Sequence, residues 1–271
     1  MLRTSSTDGV DLAIHDLGGD GPPLVFVHAT GFHGRCYRQI ARRLADVRHC
    51  WAVDLRGHGD SSRPANDRFA WAGMCDDLGN ALDALGVDRP LDFVGHSMGG
   101  ATIAGAELRT PGTVRTAWLF EPILFPPQDD NPSPMAEIAR NRRSTFDSFD
   151  AVIDRYSSRP PFSAVDPDVL RDYVLDGFRP TDDGYVTLKC EPESEARTFE
   201  GVDHSLFARL PEIEASMTVV ASTDGEAPAQ IAAPVAEALP NGELVVWEGE
   251  THFGPFTDPS RAAAEIAANL T

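Results

Sequence analysis

The sequence is poor in positive charge. It contains 23 basic residues against 42 acidic ones, which gives a formal net charge of −19, and Lys189 is its single lysine. A surface of this sign repels phosphate groups, so nucleic acids and anionic membranes are not expected partners. A solvated acidic surface is common, however, and it does not indicate a substrate.

Cysteine is scarce as well. The four cysteines are scattered, with no Cys-x-x-Cys pair and no Cys/His cluster: Cys36, Cys50, Cys75 and Cys190. This pattern excludes a disulfide framework and a cysteine-based metal centre, and it predicts reduced structural thiols.

Long apolar runs are missing too. No uncharged run is long enough to cross a bilayer, and the first residues contain no apolar stretch of signal-peptide length. We therefore expect a cytoplasmic protein. The hydrophobic content of 42% over 271 residues is sufficient for a sizeable buried core.

Strand and helix patterns alternate along most of the chain. The continuous apolar run Pro23–Val27 is typical of a strand buried on both faces, and a helical pattern over 76–85 ends at Gly86. This alternation predicts an α/β fold, with a mostly parallel sheet that carries helices on both faces.

The alternation stops in one long segment that is rich in proline and charge. Helical patterns there cover Met135–Phe149 and Asp168–Phe178. We expect an inserted helical cap over residues 122–201, and a core made of residues 1–121 and 202–271.

The most informative segment is Gly95-His96-Ser97-Met98-Gly99. It follows the apolar run Leu91–Val94 and leads into the small-residue stretch Gly100–Ala104, which can start a helix. Gly-x-Ser-x-Gly between a strand and a helix forms a nucleophile elbow, in which a strained turn exposes the serine hydroxyl. An ordinary glycine-rich turn is the alternative, but the strand–helix context favours Ser97 as a nucleophile.

A serine hydroxyl reacts only if a base takes its proton. Of the eight histidines, His252 has the best position, because it lies in the loop Gly249–Gly254 directly after the last predicted strand. That loop would lie over the carboxyl edge of the sheet beside Ser97. We predict that His252 is the base; a surface histidine in a glycine-rich loop is the alternative.

Two acids compete for the role of orienting His252. Asp224 follows the predicted strand Met217–Ala221 and lies in a polar loop, whereas Glu121 ends the strand after the elbow helix and lies in an apolar run. A carboxylate in apolar surroundings costs free energy unless it is paired, so Glu121 should have a specific partner. The sequence favours Glu121 and leaves Asp224 open.

With these residues in place, the chain resembles the α/β-hydrolase family over nearly its whole length except the cap. Val27–Phe32 is similar to the oxyanion loop of the family, Asp54–Ser61 to its Asp-x-Arg-Gly-x-Gly-x-Ser turn, and Gly95–Gly100 to its elbow. The usual place of the acid in the family is that of Asp224. Haloalkane dehalogenases and zearalenone-type lactonases take it from the strand of Glu121.

The resemblance implies that the backbone amides of Thr30 and Met98 form an oxyanion hole. Ala29 departs from the family, which usually has glycine there and so a wider approach to the substrate, but the amides remain available. The resemblance further implies a supporting role in turns and hydrogen bonds for four residues: His28, Arg56, His58 and Asp60.

We predict a serine hydrolase that cleaves an uncharged, largely apolar ester or lactone through an acyl-enzyme, without a metal or an organic cofactor. Phe32, Phe125 and Phe253 adjoin the motifs and are candidates for the substrate pocket, although aromatic residues there are as often simple core. Carbon–carbon bond hydrolysis by the same triad and a non-catalytic ligand-binding protein are the alternatives. The expected partner is a small molecule, and the oligomeric state is left open.

Overall fold

An eight-stranded sheet lies at the centre of the molecule, and a three-stranded sheet lies apart from it. The computed structural model describes residues 1–126 and 133–270. Its strands are β1 (Leu2–Ser5), β2 (Asp11–Gly18), β3 (Pro23–Val27), β4 (His49–Asp54), β5 (Leu91–His96), β6 (Val114–Phe120), β7 (Thr145–Phe146), β8 (Phe178–Pro180), β9 (Val186–Leu188), β10 (Ser216–Ser222) and β11 (Gly242–Trp247).

The central sheet has the order β1-β2-β4-β3-β5-β6-β10-β11. The hairpin β1–β2 and the pair β2–β4 are antiparallel, and every later pair is parallel. The predicted mostly parallel sheet is therefore confirmed. Parallel pairing brings the carboxyl ends of β3, β5, β6, β10 and β11 to one edge, which is where an α/β sheet places its ligands.

Some of the described helices pack on the two faces of this sheet, and others belong to the part of the chain between β6 and β10. The described helices are α1 (Arg38–Leu44), α2 (Trp71–Leu85), α3 (Met98–Arg109), α4 (Pro134–Arg140), α5 (Phe149–Ser157), α6 (Pro167–Gly177), α7 (Pro192–Glu200), α8 (Ala227–Ala238), α9 (Gly254–Thr257) and α10 (Pro259–Asn269). Short 3₁₀ turns cover Thr7–Gly9, Gly34–Tyr37, Phe162–Ala164 and Phe207–Glu212. Among the described helices, none has both the length and the apolar character needed to cross a bilayer.

The core is divided by the sheet into two apolar layers. One layer contains Val25 and Val27 with residues of α2, α3 and α8, and the other contains Leu24 and Phe26 with residues of α1 and α10. Successive residues of β3 thus face opposite layers, as the period of two in a strand requires. This explains why Pro23–Val27 is apolar throughout.

Between β6 and β10 the chain leaves the strand–helix alternation. We call residues 133–200 the inserted segment. It contains α4 to α7 and also a small antiparallel sheet of order β7-β9-β8, which the sequence did not predict.

One predicted helix in the inserted segment was wrong. In place of a single helix over Met135–Phe149, α4 ends at Arg140, β7 follows, and α5 begins at Phe149. Phe146 is buried in β7, and the Ser148 side chain accepts a hydrogen bond from the Ala151 amide as an N-cap. Tertiary packing of Phe146 and a local cap thus override the helical periodicity.

Polar contacts join the inserted segment to the core. Lys189 Nζ lies 2.6 Å from Asp60 Oδ1, and the Asp166 amide donates to the Phe256 carbonyl at 2.9 Å. The Trp71 indole donates to the Thr198 carbonyl at 2.8 Å. These contacts join the inserted segment to the chain after β4, to the chain after β11 and to the start of α2.

Candidate active site

Ser97 occupies a sharp turn between β5 and α3. Its backbone angles are φ 55° and ψ −118°, a conformation that non-glycine residues rarely adopt. A Cβ placed on Gly99 would lie 2.0 Å from the Val27 carbonyl oxygen, so a side chain there would prevent the close approach of the helix to β3. The elbow predicted from Gly-x-Ser-x-Gly is therefore present in the backbone.

The loop between β11 and α9 carries His252. Its Nδ1 lies 2.5 Å from Glu121 Oε2, and the His252 side chain keeps 20% of its surface exposed. A carboxylate can only accept, so Nδ1 is the nitrogen that donates to Glu121, and in the neutral ring Nε2 is then the unprotonated nitrogen. This tautomer is the one that a general base for a serine hydroxyl requires.

Glu121 has no exposed surface and has φ 44°, again in the left-handed region. Both of its carboxylate oxygens are used: Oε2 faces His252, and Oε1 accepts from the Ser222 amide at 2.7 Å. These two partners compensate for the burial of its charge. Strained backbone at both Ser97 and Glu121 is typical of functional positions.

Asp224, the rival acid, contacts His252 at a different atom. Its Oδ2 accepts from the His252 backbone amide at 3.0 Å, and its Oδ1 accepts from the Glu226 amide at 2.9 Å. Asp224 is exposed. Glu121 therefore contacts the imidazole ring of His252, whereas Asp224 contacts the backbone of the loop that carries His252.

His96, the residue before Ser97, adds a third contact to this loop. Its Nε2 lies 2.9 Å from the His252 carbonyl oxygen, and the two rings are 4.8 Å apart between centroids. The carbonyl only accepts, so Nε2 of His96 is the protonated nitrogen. Burial lowers the pKa of His96 well below its usual value, which keeps the ring neutral. In the sequence, His96 is one of the eight histidines that could be the base, and no pattern there predicts this contact.

Thr30 and Met98, the predicted oxyanion donors, lie side by side. The Thr30 hydroxyl donates to Met98 Sδ at 3.4 Å. Met98 is the first residue of α3, and amides in the first turn of a helix have no acceptor within that helix. This side-chain contact makes Thr30 and Met98 neighbours beside Ser97. The role of their backbone amides as oxyanion donors stays a prediction.

The His28 ring supports the loop that carries Thr30. Its Nδ1 donates to the Ala29 carbonyl at 2.8 Å, and its Nε2 accepts from the Leu55 amide at 3.0 Å. Burial lowers the pKa of His28 to about 3, so the ring stays neutral and keeps both contacts at physiological pH.

The other predicted supporting residues lie in dense hydrogen-bond networks. Arg56 binds both oxygens of buried Asp77 through Nε and Nη2, at 2.8 Å each. Nδ1 of His58 donates to the Arg56 carbonyl, and the Asp60 amide donates to the Asp54 carboxylate. These contacts fix the turn after β4. Nε2 of His58 is buried and has no hydrogen-bond partner among the described residues.

The predicted pocket aromatics divide into two groups. Phe32 and Phe253 pack against each other with 5.6 Å between ring centroids, and both also contact Phe162 of the inserted segment. Phe125 lies instead against His204, at 6.2 Å. The structure therefore groups Phe32 and Phe253 beside His252 and does not group Phe125 with them.

The sequence pattern of the Alpha/beta hydrolase family matches residues 24–266, a range that includes Ser97, Glu121 and His252. The chain belongs to the alpha/beta hydrolase family. The family and the fold class predicted from the sequence are thereby confirmed.

Two curated relatives align with most of this α/β-hydrolase. The 2-(acetamidomethylene)succinate hydrolase of Mesorhizobium japonicum is 25% identical over 243 residues, which cover 87% of this chain and 83% of the relative. A non-heme chloroperoxidase of Kitasatospora aureofaciens is 27% identical over 272 aligned positions, which cover 93% and 92%. A shorter match of 103 residues to another relative covers 36% of that protein.

A solved structure of E-2-(acetamidomethylene)succinate hydrolase superposes on this α/β-hydrolase with a TM-score of 0.81 at 22% identity. The superposition covers 99% of this chain and 98% of the other. A likeness at this identity shows a shared fold. The known relatives support the predicted assignment to the hydrolases.

Two surface clefts of the α/β-hydrolase lie away from the elbow. The larger, of about 490 Å³, is lined by residues of the inserted segment, among them Arg140, Arg179 and Glu193. The other lies between α2 and α3, on the side of Cys75 and Arg109. Neither is lined by Ser97 or His252, so the chemistry of the elbow gives no role to either cleft.

Proposed function

We propose that this protein is a serine hydrolase that cleaves an uncharged, largely apolar ester or lactone. The observation that carries the proposal is the 2.5 Å contact between Glu121 Oε2 and His252 Nδ1, at the sheet edge where Ser97 directly follows β5. A buried carboxylate on one ring nitrogen leaves the other nitrogen free to take a proton.

In the proposed mechanism, Ser97 Oγ attacks the substrate carbonyl while Nε2 of His252 takes its proton. The amides of Thr30 and Met98 stabilise the oxyanion, and Glu121 stabilises the imidazolium that forms. His252 then protonates the leaving group, which departs and leaves an acyl-Ser97 ester. Finally His252 activates a water that hydrolyses this ester and releases the acid.

Within residues 1–126 and 133–270 the Ser97 hydroxyl makes no hydrogen bond. It is therefore available to a substrate. Hydrogen bonds between a nucleophile and its base are often long before substrate binds and shorten in the complex.

Aromatic residues of the inserted segment support the proposal that the substrate is apolar. Phe162 contacts Phe32 and Phe253, and these three rings remain partly exposed beside the His252 loop. We propose that residues 122–201 act as a cap whose aromatic wall limits the size of the substrate.

A fluorophosphonate probe tests this function directly, because it labels only an activated serine. We expect stoichiometric labelling of the wild type and no labelling of Ser97→Ala. We also expect the wild type to hydrolyse at least one member of a panel of p-nitrophenyl esters and lactones. Ser97→Ala and His252→Ala should each lower kcat by about 10⁴-fold or more while the fold is retained. A folded wild type that neither reacts with the probe nor turns over would favour the ligand-binding alternative.

Carbon–carbon bond hydrolysis uses the same three side chains, and the structure offers no contact that favours it over ester cleavage. A vinylogous diketone added to the substrate panel separates the two reactions. Turnover of the diketone with no turnover of any ester or lactone would replace the proposed reaction and keep the triad.

A further inference from the structure

Four side chains of the inserted segment meet in one polar cluster. They come from four separate places in the segment and form what we call the Arg142 cluster: Arg142, Tyr156, Tyr173 and Glu195. Arg142 Nη1 donates to Glu195 Oε2 at 2.5 Å, and Nη2 donates to the hydroxyls of Tyr156 and Tyr173 at 3.1 Å each. Arg142 thus bridges the loop after α4 to helices α5, α6 and α7.

The Arg142 cluster lies against the loop that carries Thr30. Gly31 follows Thr30 and has φ +79°. A Cβ on Gly31 would lie 2.5 Å from Glu195 Oε1 and 3.5 Å from Arg142 Nη1. Since Thr30 contacts Met98 and Met98 follows Ser97, a short chain of contacts connects the cluster with the nucleophile.

The rings of Phe32, Phe162 and Phe253 form what we call the aromatic wall. This wall also connects the Arg142 cluster with the active site. Tyr173 packs on Phe32 with 5.2 Å between centroids, and Phe32 packs on Phe253, which follows His252. Tyr173 also contacts Phe162 at 4.9 Å. A substrate chain that extends from Ser97 along Phe32 and Phe162 would therefore run towards Tyr173.

The cluster retains hydrogen-bonding capacity. Burial raises the pKa of the Tyr173 phenol far above its usual value, so the hydroxyl stays protonated and can donate while it accepts from Arg142. Glu195 Oε2 is held by Arg142, but within the described residues no donor contacts Oε1. The hydroxyl of Tyr156 likewise accepts from Arg142, so two hydroxyl donors and one carboxylate acceptor remain for a ligand.

The charges of the cluster are balanced. Burial works against the guanidinium charge, yet the Tyr173 oxygen and the Glu195 carboxylate together hold the pKa of Arg142 well above its usual value. A bound carboxylate would add a second negative charge beside Glu195. A neutral group that both donates and accepts, such as a hydroxyl or a secondary amide, matches the cluster without an unpaired charge.

We propose that the Arg142 cluster is a polar subsite, which binds a hydroxyl or secondary amide carried by the substrate chain beyond its reacting carbonyl. This inference rests on the proposed serine-hydrolase function and makes the substrate amphipathic: an apolar stretch lies along the aromatic wall, and a neutral hydrogen-bonding group lies at its end. Structural support alone does not require the cluster, because apolar side chains often replace a buried ion pair without loss of stability.

Two series of p-nitrophenyl alkanoates test the subsite. In one series the acyl chain, of four to eight carbons, ends in an acetamido group; in the other it ends in a methyl group at matched total length. We expect the wild type to prefer one acetamido ester over its alkyl match by about tenfold or more in kcat/KM, since a site built for hydrogen bonds rejects analogues that lack them.

Two variants then test whether the Arg142 cluster causes this preference for the acetamido ester. Tyr173→Phe removes one hydroxyl, and Glu195→Gln removes the charged acceptor at nearly constant shape. Both should lower kcat/KM for the acetamido ester several-fold more than for its alkyl match. Arg140→Met is the control, because Arg140 is another arginine of the same segment, and it pairs with Glu193 and Glu200 on the surface. It should leave the preference unchanged.

The outcomes separate this inference from the function on which it rests. Equal loss on both esters in folded Tyr173→Phe and Glu195→Gln would make the cluster a structural support and overturn the subsite. Preference for a chain that ends in a carboxylate would overturn the neutral-group assignment. If Ser97 is not labelled and no ester turns over, the proposed function fails, and the subsite fails with it.

Discussion

Glu121 and His252 are joined through a ring nitrogen, with 2.5 Å between Oε2 and Nδ1. Asp224 contacts the same histidine only through its backbone amide. The two acids that the sequence offered are thus both bound to His252, but only Glu121 is placed to fix the tautomer and to stabilise the imidazolium.

The first prediction concerns these two acids. Glu121→Gln should lower kcat by about 10³- to 10⁴-fold, because the neutral amide no longer stabilises the protonated ring. Asp224→Asn should cost about tenfold or less, because the amide oxygen of asparagine still accepts from the His252 backbone. Steady-state kinetics on one ester would measure both, and a larger loss in Asp224→Asn would reverse the assignment of the acid.

A second prediction concerns His96, which we regard as a positioning residue. His96→Phe keeps an aromatic ring against Phe32 but removes the N–H that binds the His252 carbonyl. We expect kcat to fall about tenfold or more with a smaller change in KM, since small displacements of a catalytic base are costly.

His96→Gln is the matched variant, because its side-chain amide can restore a donor to the same carbonyl. It should recover part of the kcat lost in His96→Phe. If both variants lose kcat equally, the packing of the ring matters and its hydrogen bond does not.

The third prediction concerns the proposed cap. Phe162→Ala should shift the preferred acyl chain towards longer esters, because Phe162 forms part of the aromatic wall with Phe32 and Phe253. Ile138 of α4 is 61% exposed in the same segment, and Ile138→Ala is the control. An identical chain-length profile in wild type, Phe162→Ala and Ile138→Ala would make the inserted segment a structural element and not a selector.

The fourth prediction concerns acid stability. Burial lowers the pKa of His28 to about 3 and also lowers the pKa values of His33, His58 and His96. The unfolded chain binds protons at these rings below pH about 6.5, whereas the folded chain resists protonation. The free energy of unfolding should therefore fall as the pH drops from 7.5 to 5.5.

The slope is up to about 1.4 kcal/mol per pH unit for each ring that stays neutral in the folded state. Urea unfolding at several pH values above 5, where most carboxylates remain ionised, measures it. His58→Gln removes one such ring and should make the slope shallower. Equal stability at pH 7.5 and 5.5 would show that these rings take up protons in the folded state.

The sequence was sufficient to predict the parts of the site that depend on local pattern. Gly95 and Gly99 around Ser97 fix the elbow, and the position of His252 after the last strand places it in a loop at the same edge. The apolar run around Glu121 indicated a buried carboxylate that needs a partner, and the structure provides two.

What the sequence could not show depends on contacts between distant segments. Arg142 and Glu195 read as two surface charges in a polar segment, and only the packing of α7 against the loop after α4 pairs them beside Gly31. Phe146 likewise continues a helical pattern along the chain, but it pairs with Val186 in β9. Helical periodicity and charge patterns are local signals, so they carry no information on such partners.

The amide of Ser97 donates to the carbonyl of Phe120 at 2.9 Å, and Glu121 is the next residue. The proposed nucleophile and the proposed acid therefore directly follow two neighbouring strands whose spacing the backbone hydrogen bonds set, whereas the proposed base, His252, lies on a longer loop. Of the three proposed catalytic residues, two are thus positioned by the sheet and one by a loop. Changes in the loop after β10 should therefore leave the position of Glu121 unaffected and act on the His252 loop, through contacts such as that of Asp224 with the His252 amide.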